Sequence, residues 1–276
     1  MSEMIVVQNS KKDITISCPC LNIPLSLDCG QAFRWSKTPD GGMHGVAFSR
    51  SLTVRQSGDK ITFCGVDEAD MKNIWSSYFD LERDYSAICE RLCNDENLSK
   101  AISEFSGIRI LRQEPWEALC SFIISQNNNI PRIKGIIDRL CRLLGEPLGG
   151  DDFAFPSAET VAAAGVEALA PLRAGFRAKY VIDAAEKVAR GEVDFNAIDE
   201  NPIEYGREEL MKIKGVGAKV AECTLLYGFG KIDAFPVDVW VKRIMAEMYP
   251  DGLPECTNGV RGIAQQYLFH WRRNRE

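Results

Sequence analysis

The chain is poor in histidine: His44 and His270 are the only two in 276 residues. That argues against a histidine-rich metal site and against a Ser-His-Asp hydrolase. No apolar run approaches the roughly 20 residues needed to span a bilayer, so no membrane partner is expected. The opening stretch MSEMIVVQNSKK has no basic start followed by an apolar segment, and no export signal is read there. Ten cysteines are present, but they are scattered from Cys18 to Cys256. The Cys18-Pro-Cys20 pair has no second CxxC partner, and no four-cysteine run lies near the C-terminus. Neither zinc nor an iron–sulfur cluster is expected, and the thiols are read as reduced. A cationic excess is also missing, since the net charge is −6. Taken alone, that counts against nucleic acid, whose non-specific binding is driven by cationic surface. A local basic face can still coexist with acidic flanks such as VDEAD at 66–70 and DFNAIDENPIE at 194–204.

What is present is an ordinary globular balance, 45% apolar and 26% charged, in a chain long enough for about two domains. The first part reads as β-rich. Residues 12–18 alternate, with Ile14 and Ile16 on one face. SLTVRQSGDKITFCG predicts a hairpin with its turn at Ser57-Gly58-Asp59, and TPDGG at 38–42 predicts another turn. Beyond about residue 82 the period changes. DYSAICERLC, PWEALCSFIISQ, IPRIKGIIDRLCRLLG, AKYVIDAAEKVARG, AKVAECTLLYG and DVWVKRIMAEMY place apolar residues at helical spacing. The fold class is therefore α+β: an antiparallel β domain over 1–82, then a larger helical region over 83–276.

PIEYGREELMKIKGVGAKVAECTLLYG reads as helix, tight Gly-Val-Gly turn, helix, over about 205–228. Gly215 and Gly217 permit a sharp hairpin. The unsatisfied N–H groups opening the second helix favour a phosphate there, although a plain helix connector reads the same way. Lys219 lies among positions that otherwise read as core. Asp238 follows in FPVDVW, with Pro236 expected in the first turn of a helix and Asp238 near its N-terminus.

Helix, KGVGAKVAEC, helix, then FPVDVW resembles the helix-hairpin-helix–Gly/Pro–Asp superfamily of DNA glycosylases. CGQAFRW at 29–35, LRQEPWEALCSFIISQNNNIPRIKG at 111–135, GFRAKYV at 175–181 and AQQYLF at 264–269 resemble the 8-oxoguanine DNA glycosylase family within it. The likeness covers nearly the whole chain. It implies a monomeric enzyme without cofactor, acting on double-stranded DNA that contains 8-oxoguanine. Such an enzyme is cytoplasmic, and nucleoid-associated in a prokaryote.

The resemblance also implies roles. Lys219 attacks C1′ of the damaged nucleotide and leaves a Schiff base, so strand cleavage by β-elimination follows. Asp238 stabilises positive charge on the sugar and handles protons second. The amine must be neutral to attack, which apolar surroundings favour. Extruding a base costs a few kcal/mol. Asn127 enters the vacated stack, Phe176 wedges beside the orphaned base, and Arg132 and Arg177 address the opposite cytosine. Gly30 turns its carbonyl to the N7 hydrogen that distinguishes 8-oxoguanine from guanine. Cys223 and Phe269 sandwich the flipped ring, Gln265 reads its Watson–Crick edge, and Pro236 lines the pocket. Gly215, Gly217 and Val220 belong to the DNA-binding hairpin. Two positions depart from the family pattern: Trp240 stands where many relatives carry a phosphate-contacting histidine, and Phe176 replaces a tyrosine. Two other readings compete, a monofunctional alkyl-base glycosylase that uses only the aspartate and an inert hairpin module that binds DNA. The coincidence of Lys219, Asp238 and the pocket residues argues against both.

Overall fold

The structure, a computed structural model, describes residues 12–275. Residues 1–11, on which the absence of an export signal was read, lie outside the described residues. The alternating segments form β1 (Lys12–Ser17), β2 (Trp35–Lys37), β3 (Met43–Ala47), β4 (Arg50–Ser57) and β5 (Lys60–Val66). They make one antiparallel sheet in the order β1-β5-β4-β3-β2. The β4–β5 hairpin turns at Gly58, whose φ of +57° suits glycine, and pairs Val54 with Phe63. Leu52, Val54, Ile61 and Phe63 therefore share one face, which buries against Trp35, Trp75, Tyr78 and Phe79. Part of that cover is a short helical stretch over residues 68–78 with a π turn at Met71–Trp75, which periodicity did not anticipate.

The segments with helical spacing form the helices Tyr85–Leu92, Pro115–Ser125, Ile130–Leu144, Arg177–Ala189, Ala218–Tyr227 and Val239–Met248. A last helix, Arg261–Arg273, packs into the same core. The α+β architecture read from the sequence is the one observed.

Buried polar groups fasten the stretch before β2 to the helical region. Gln31 is wholly buried; its amide donates to the Arg109 carbonyl at 2.7 Å and accepts the Leu111 N–H at 2.9 Å. Arg34 pairs with Glu117 of helix Pro115–Ser125 at 3.2 Å, both side chains about nine-tenths buried. Breaking such a pair leaves an uncompensated buried charge, so it resists displacement. These contacts fix Gly30 against the helices. Glu114, beside this pair, is pushed up to about 7 by burial first and by Glu117 second.

The hairpin between Ile203–Met211 and Ala218–Tyr227 depends on one glycine more than the other. Gly215 has φ +81°, and a Cβ there would meet the Tyr180 ring at 2.3 Å. Gly217 has extended backbone, φ −103°, and a Cβ there would meet open space. Asp183 secures the turn from outside, accepting the Lys214 N–H at 2.7 Å and the Lys187 ammonium at 2.9 Å. Burial raises its pKa, but these partners outweigh burial and hold the carboxyl below the usual range.

Two outcomes follow. Gly215→Ala should destabilise the protein by about 2–4 kcal/mol, through strain at positive φ and ring overlap, while Gly217→Ala stays within about 1 kcal/mol; urea unfolding measures both. Glu114→Gln tests the buried carboxyl. A raised carboxyl pKa means that the folded chain holds the proton more tightly than the unfolded chain. Stability of the wild type is then lost as pH rises from 4.5 to about 7 and levels off above. The variant escapes that loss, so its advantage in unfolding free energy, read by urea unfolding at each pH, should grow over this window, up to about 3 kcal/mol. A difference independent of pH would contradict the assignment.

Candidate active site

Helix Ala218–Tyr227 begins at Gly217, which offers no capping side chain. Its first N–H groups are therefore available to an anion. Every residue from Val220 to Tyr227 is buried, so the helix is enclosed along its length. Lys219, on its first turn, is half-buried. Its amine lies 3.4 Å from Ser125 Oγ and 5.2 Å over the ring of Phe122. Phe122 in turn stacks on Tyr227, with centroids 5.2 Å apart and planes at 20°.

Asp238 comes from the next helix. It is the N-cap of Val239–Met248, and its Oδ1 accepts the Val241 N–H at 2.8 Å. This corrects one expectation. Pro236 lies outside the first helical turn, because the capping aspartate starts the helix after itself and leaves the proline in the loop before it. There the ring is buried and faces the cavity.

A narrow cavity of about 50 Å³ is lined by Gly30, Phe122, Lys219, Cys223, Tyr227, Pro236, Asp238, Gln265, Gln266 and Phe269. Lys219, Asp238 and all five residues expected to touch the base meet here. Gly30 has φ +92°, and an added Cβ would lie 3.3 Å from the Arg273 guanidinium and 3.7 Å from the Phe269 ring. A side chain at that position would intrude on the cavity mouth. Gln265 is 5% exposed, and its Oε1 is buried without a hydrogen-bond partner. An orphaned acceptor at a cavity is costly unless something binds there. Cys223 is buried, which raises its thiol pKa; the adjacent Lys219 amine pulls the other way.

A second cleft, about 410 Å³, lies on the other side of the same pair. Ser125, Gln126, Asn127, Asn128, Gly217, Lys219, Val220, Asp238, Val239 and Trp240 line it. Lys219 and Asp238 therefore border both the cavity and the open cleft. Asn127 projects from the turn after helix Pro115–Ser125 and has a left-handed φ of +48°. Arg177 holds that turn. It is 4% exposed, and its guanidinium donates to the carbonyls of Gln126, Asn127 (2.8 Å) and Ala174 (3.2 Å). Family resemblance directs Arg177 at the orphaned cytosine; here four hydrogen bonds tie its guanidinium to three backbone carbonyls. Burial, and then the nearby Arg132 charge, lower its pKa. Arg132 itself is exposed, with one contact to the Arg173 carbonyl at 3.4 Å. Phe176 is half exposed and meets Tyr180, the ring beneath Gly215, edge-on at 5.7 Å. Arg132, Phe176, Arg177 and Gly215 are not among the residues that line the cleft.

Three lining residues escaped sequence reasoning: Phe122, Tyr227 and Gln266. The first two fall on apolar helix positions indistinguishable from core. All ten cysteines are free thiols. Among the described residues no cluster of His, Cys, Asp and Glu is arranged to hold a metal ion. Nor is any helix there long and apolar enough to cross a membrane.

Comparison with known proteins gives this geometry a family. Residues 13–119 match the model of the 8-oxoguanine DNA glycosylase N-terminal domain, and residues 120–252 match that of the HhH-GPD superfamily of base excision DNA repair proteins. The N-glycosylase/DNA lyase of Saccharomyces cerevisiae is 32% identical over 252 residues, spanning 81% of this chain and 67% of that one. The structure of MBOgg1 in complex with a low-affinity DNA ligand superposes with a TM-score of 0.90 at 40% identity, covering 96% of both chains. The Clostridium acetobutylicum 8-oxoguanine glycosylase/lyase, bound to duplex DNA with cytosine opposite 8-oxoG, gives 0.87 at 35% identity over 97% of this chain and 99% of that one. On sequence, fold and the composition of its cavity, this chain belongs to the 8-oxoguanine DNA glycosylase/lyase family of the helix-hairpin-helix–Gly/Pro–Asp superfamily.

Proposed function

We propose that the protein excises 8-oxoguanine paired with cytosine from duplex DNA and then cleaves the strand by β-elimination. The observation that carries this reading is the convergence of Lys219 and Asp238 on one cavity with Gly30, Cys223, Gln265 and Phe269.

Binding starts at the hairpin. The uncapped N–H groups after Gly217 take a backbone phosphate, so little net cationic charge is required. The target nucleotide rotates out of the stack. Asn127 fills the gap, held in its strained conformation by the Arg177 clamp, and the exposed Phe176 ring wedges beside the orphaned base. Arg132 addresses the orphaned cytosine, whose O2 and N3 both accept hydrogen bonds. Adenine presents a donor on that edge and is disfavoured. Trp240 faces the cleft where many relatives carry a histidine, and its ring lies under Arg243 at 5.3 Å. A phosphate contact there passes to a different chemistry.

The extruded base enters the cavity, which has room for a few waters and not for a purine. Phe269, half-buried at the mouth, swings aside and closes over the ring, with Cys223 on the other face. Gln265 Oε1 gains the hydrogen bond that it lacks. The Gly30 carbonyl accepts the N7 hydrogen of 8-oxoguanine and repels the N7 lone pair of guanine, the kind of unpaired contact that gives large discrimination.

Chemistry follows at the boundary of cavity and cleft. The neutral Lys219 amine attacks C1′ as the N9–C1′ bond breaks, and the base leaves with the bonding pair and gains a proton. Asp238 stabilises the positive charge that develops on the sugar. Opening of the sugar ring gives an iminium between Nζ and C1′. Loss of a C2′ proton then expels the 3′ phosphate. Amine and carboxylate supply every group that these steps need, so the reaction runs without metal or cofactor. We assign the protein to the cytoplasm, with the cell's DNA, as a monomer away from membranes.

The test uses duplexes with one 8-oxoguanine opposite each of the four bases. Wild type should prefer cytosine, and Arg132→Ala should flatten that preference; an unchanged profile removes Arg132 from the role. Lys219→Gln should abolish excision and keep lesion binding within a few-fold, because wedge and pocket remain. Excision that survives the substitution would transfer the chemistry to another nucleophile and favour the monofunctional reading.

A further inference from the structure

Glu222 is a buried carboxylate that the reaction above does not use. It is 7% exposed and lies three residues beyond Lys219, one turn along the same rigid helix. Its two oxygens serve different elements. Oε1 accepts Arg207 Nε at 2.5 Å, from the first helix of the hairpin. Oε2 accepts the backbone N–H of Phe235 at 2.7 Å, from the loop that leads to Asp238.

One carboxylate therefore ties together both hairpin helices and the segment that carries Asp238. Charge-assisted bonds of this kind are short and roughly twice as strong as neutral ones. The linkage from Phe235 to Asp238 is also stiff. Pro236 fixes its own φ and restricts Phe235, and Asp238 is pinned at its far side as the cap of the following helix. A shift at Phe235 passes along this short segment to the Asp238 carboxylate. Lys219 cannot follow, because its helix is enclosed.

We propose that Glu222 is a positioning residue for base excision, setting where Asp238 stands relative to the Lys219 amine, with Arg207 orienting it. This rests on the roles given above to Lys219 and Asp238. The substitution Glu222→Gln keeps the shape but replaces one acceptor with a donor. The amide then satisfies Phe235 or Arg207, and the other donor meets an N–H.

The experiment compares wild type, Glu222→Gln, Asp238→Asn and the double variant, all full-length. Single-turnover excision is measured on a duplex with 8-oxoguanine opposite cytosine. Binding is measured on a duplex whose 8-oxoguanine nucleoside carries 2′-fluorine and resists cleavage. Glu222→Gln should slow excision about 10- to 100-fold, as a misplaced reacting group does, with binding within about threefold. The double variant should be no slower than Asp238→Asn alone, because Glu222 acts through Asp238. Should Glu222→Gln fail to fold, Arg207→Gln should show a smaller loss in the same pattern, since Arg207 is partly exposed. An active wild type with an equally fast, folded Glu222→Gln overturns the inference alone, as do losses that multiply in the double variant. A wild type that excises nothing overturns the roles of Lys219 and Asp238, and this inference with them.

Discussion

Enclosure of the helix Ala218–Tyr227 is the constraint on which the site depends. With Val220 to Tyr227 all buried, that helix has no freedom to rotate or slide without opening the core. Its first turn is the one part left at a boundary, so the Lys219 amine is delivered to a fixed point. Around that point the chain assembles a wall from each of its other parts. Gly30 comes from the stretch before β2, clamped by Gln31 and Arg34. Phe122 comes from the helix that Glu117 anchors, and Gln265 and Phe269 from the last helix. In the proposed mechanism the contribution of the sheet domain is to hold Gly30 at the cavity.

The acidic balance of the chain is reconciled with a polyanionic partner by the nature of the contacts. An uncapped helix start offers N–H groups that require no compensating charge elsewhere. In the proposed mechanism Arg132 and the half-exposed Phe176 act locally, on one orphaned base. Acidic runs such as 66–70 and 194–204 are remote from these residues in sequence, and Asp199 lies by a different cleft, with Phe195 and Phe229. Net charge is a property of the whole surface, whereas recognition uses a small part of it.

Much of this was legible because it rests on local rules. Alternation in β4 and β5 and the turn at Gly58 specify the hairpin. Apolar spacing specifies the long helices, and Gly215 specifies a sharp turn. Other features rest on tertiary packing, which a single chain does not print. Asp238 caps its own helix, so the proline before it lies in the loop, a choice that composition leaves open. The burial of Arg177 follows from three carbonyls converging from two loops, and nothing in GFR distinguishes that from an exposed reader of bases. Phe122 and Tyr227 sit at core-like positions and differ from core only in what lies beyond them. The orphaned oxygen of Gln265 is likewise a fact of three dimensions. Family resemblance alone singled out Gln265 from the sequence.

A borohydride-reduced complex with duplex DNA bearing 8-oxoguanine opposite cytosine tests the central claim most directly. Its crystal structure should show a covalent bond from Lys219 Nζ to C1′ of the former lesion nucleotide, with the Asp238 carboxylate against the same sugar. An abasic sugar bearing a hydroxyl at C1′, with no bond to residue 219, would contradict the account.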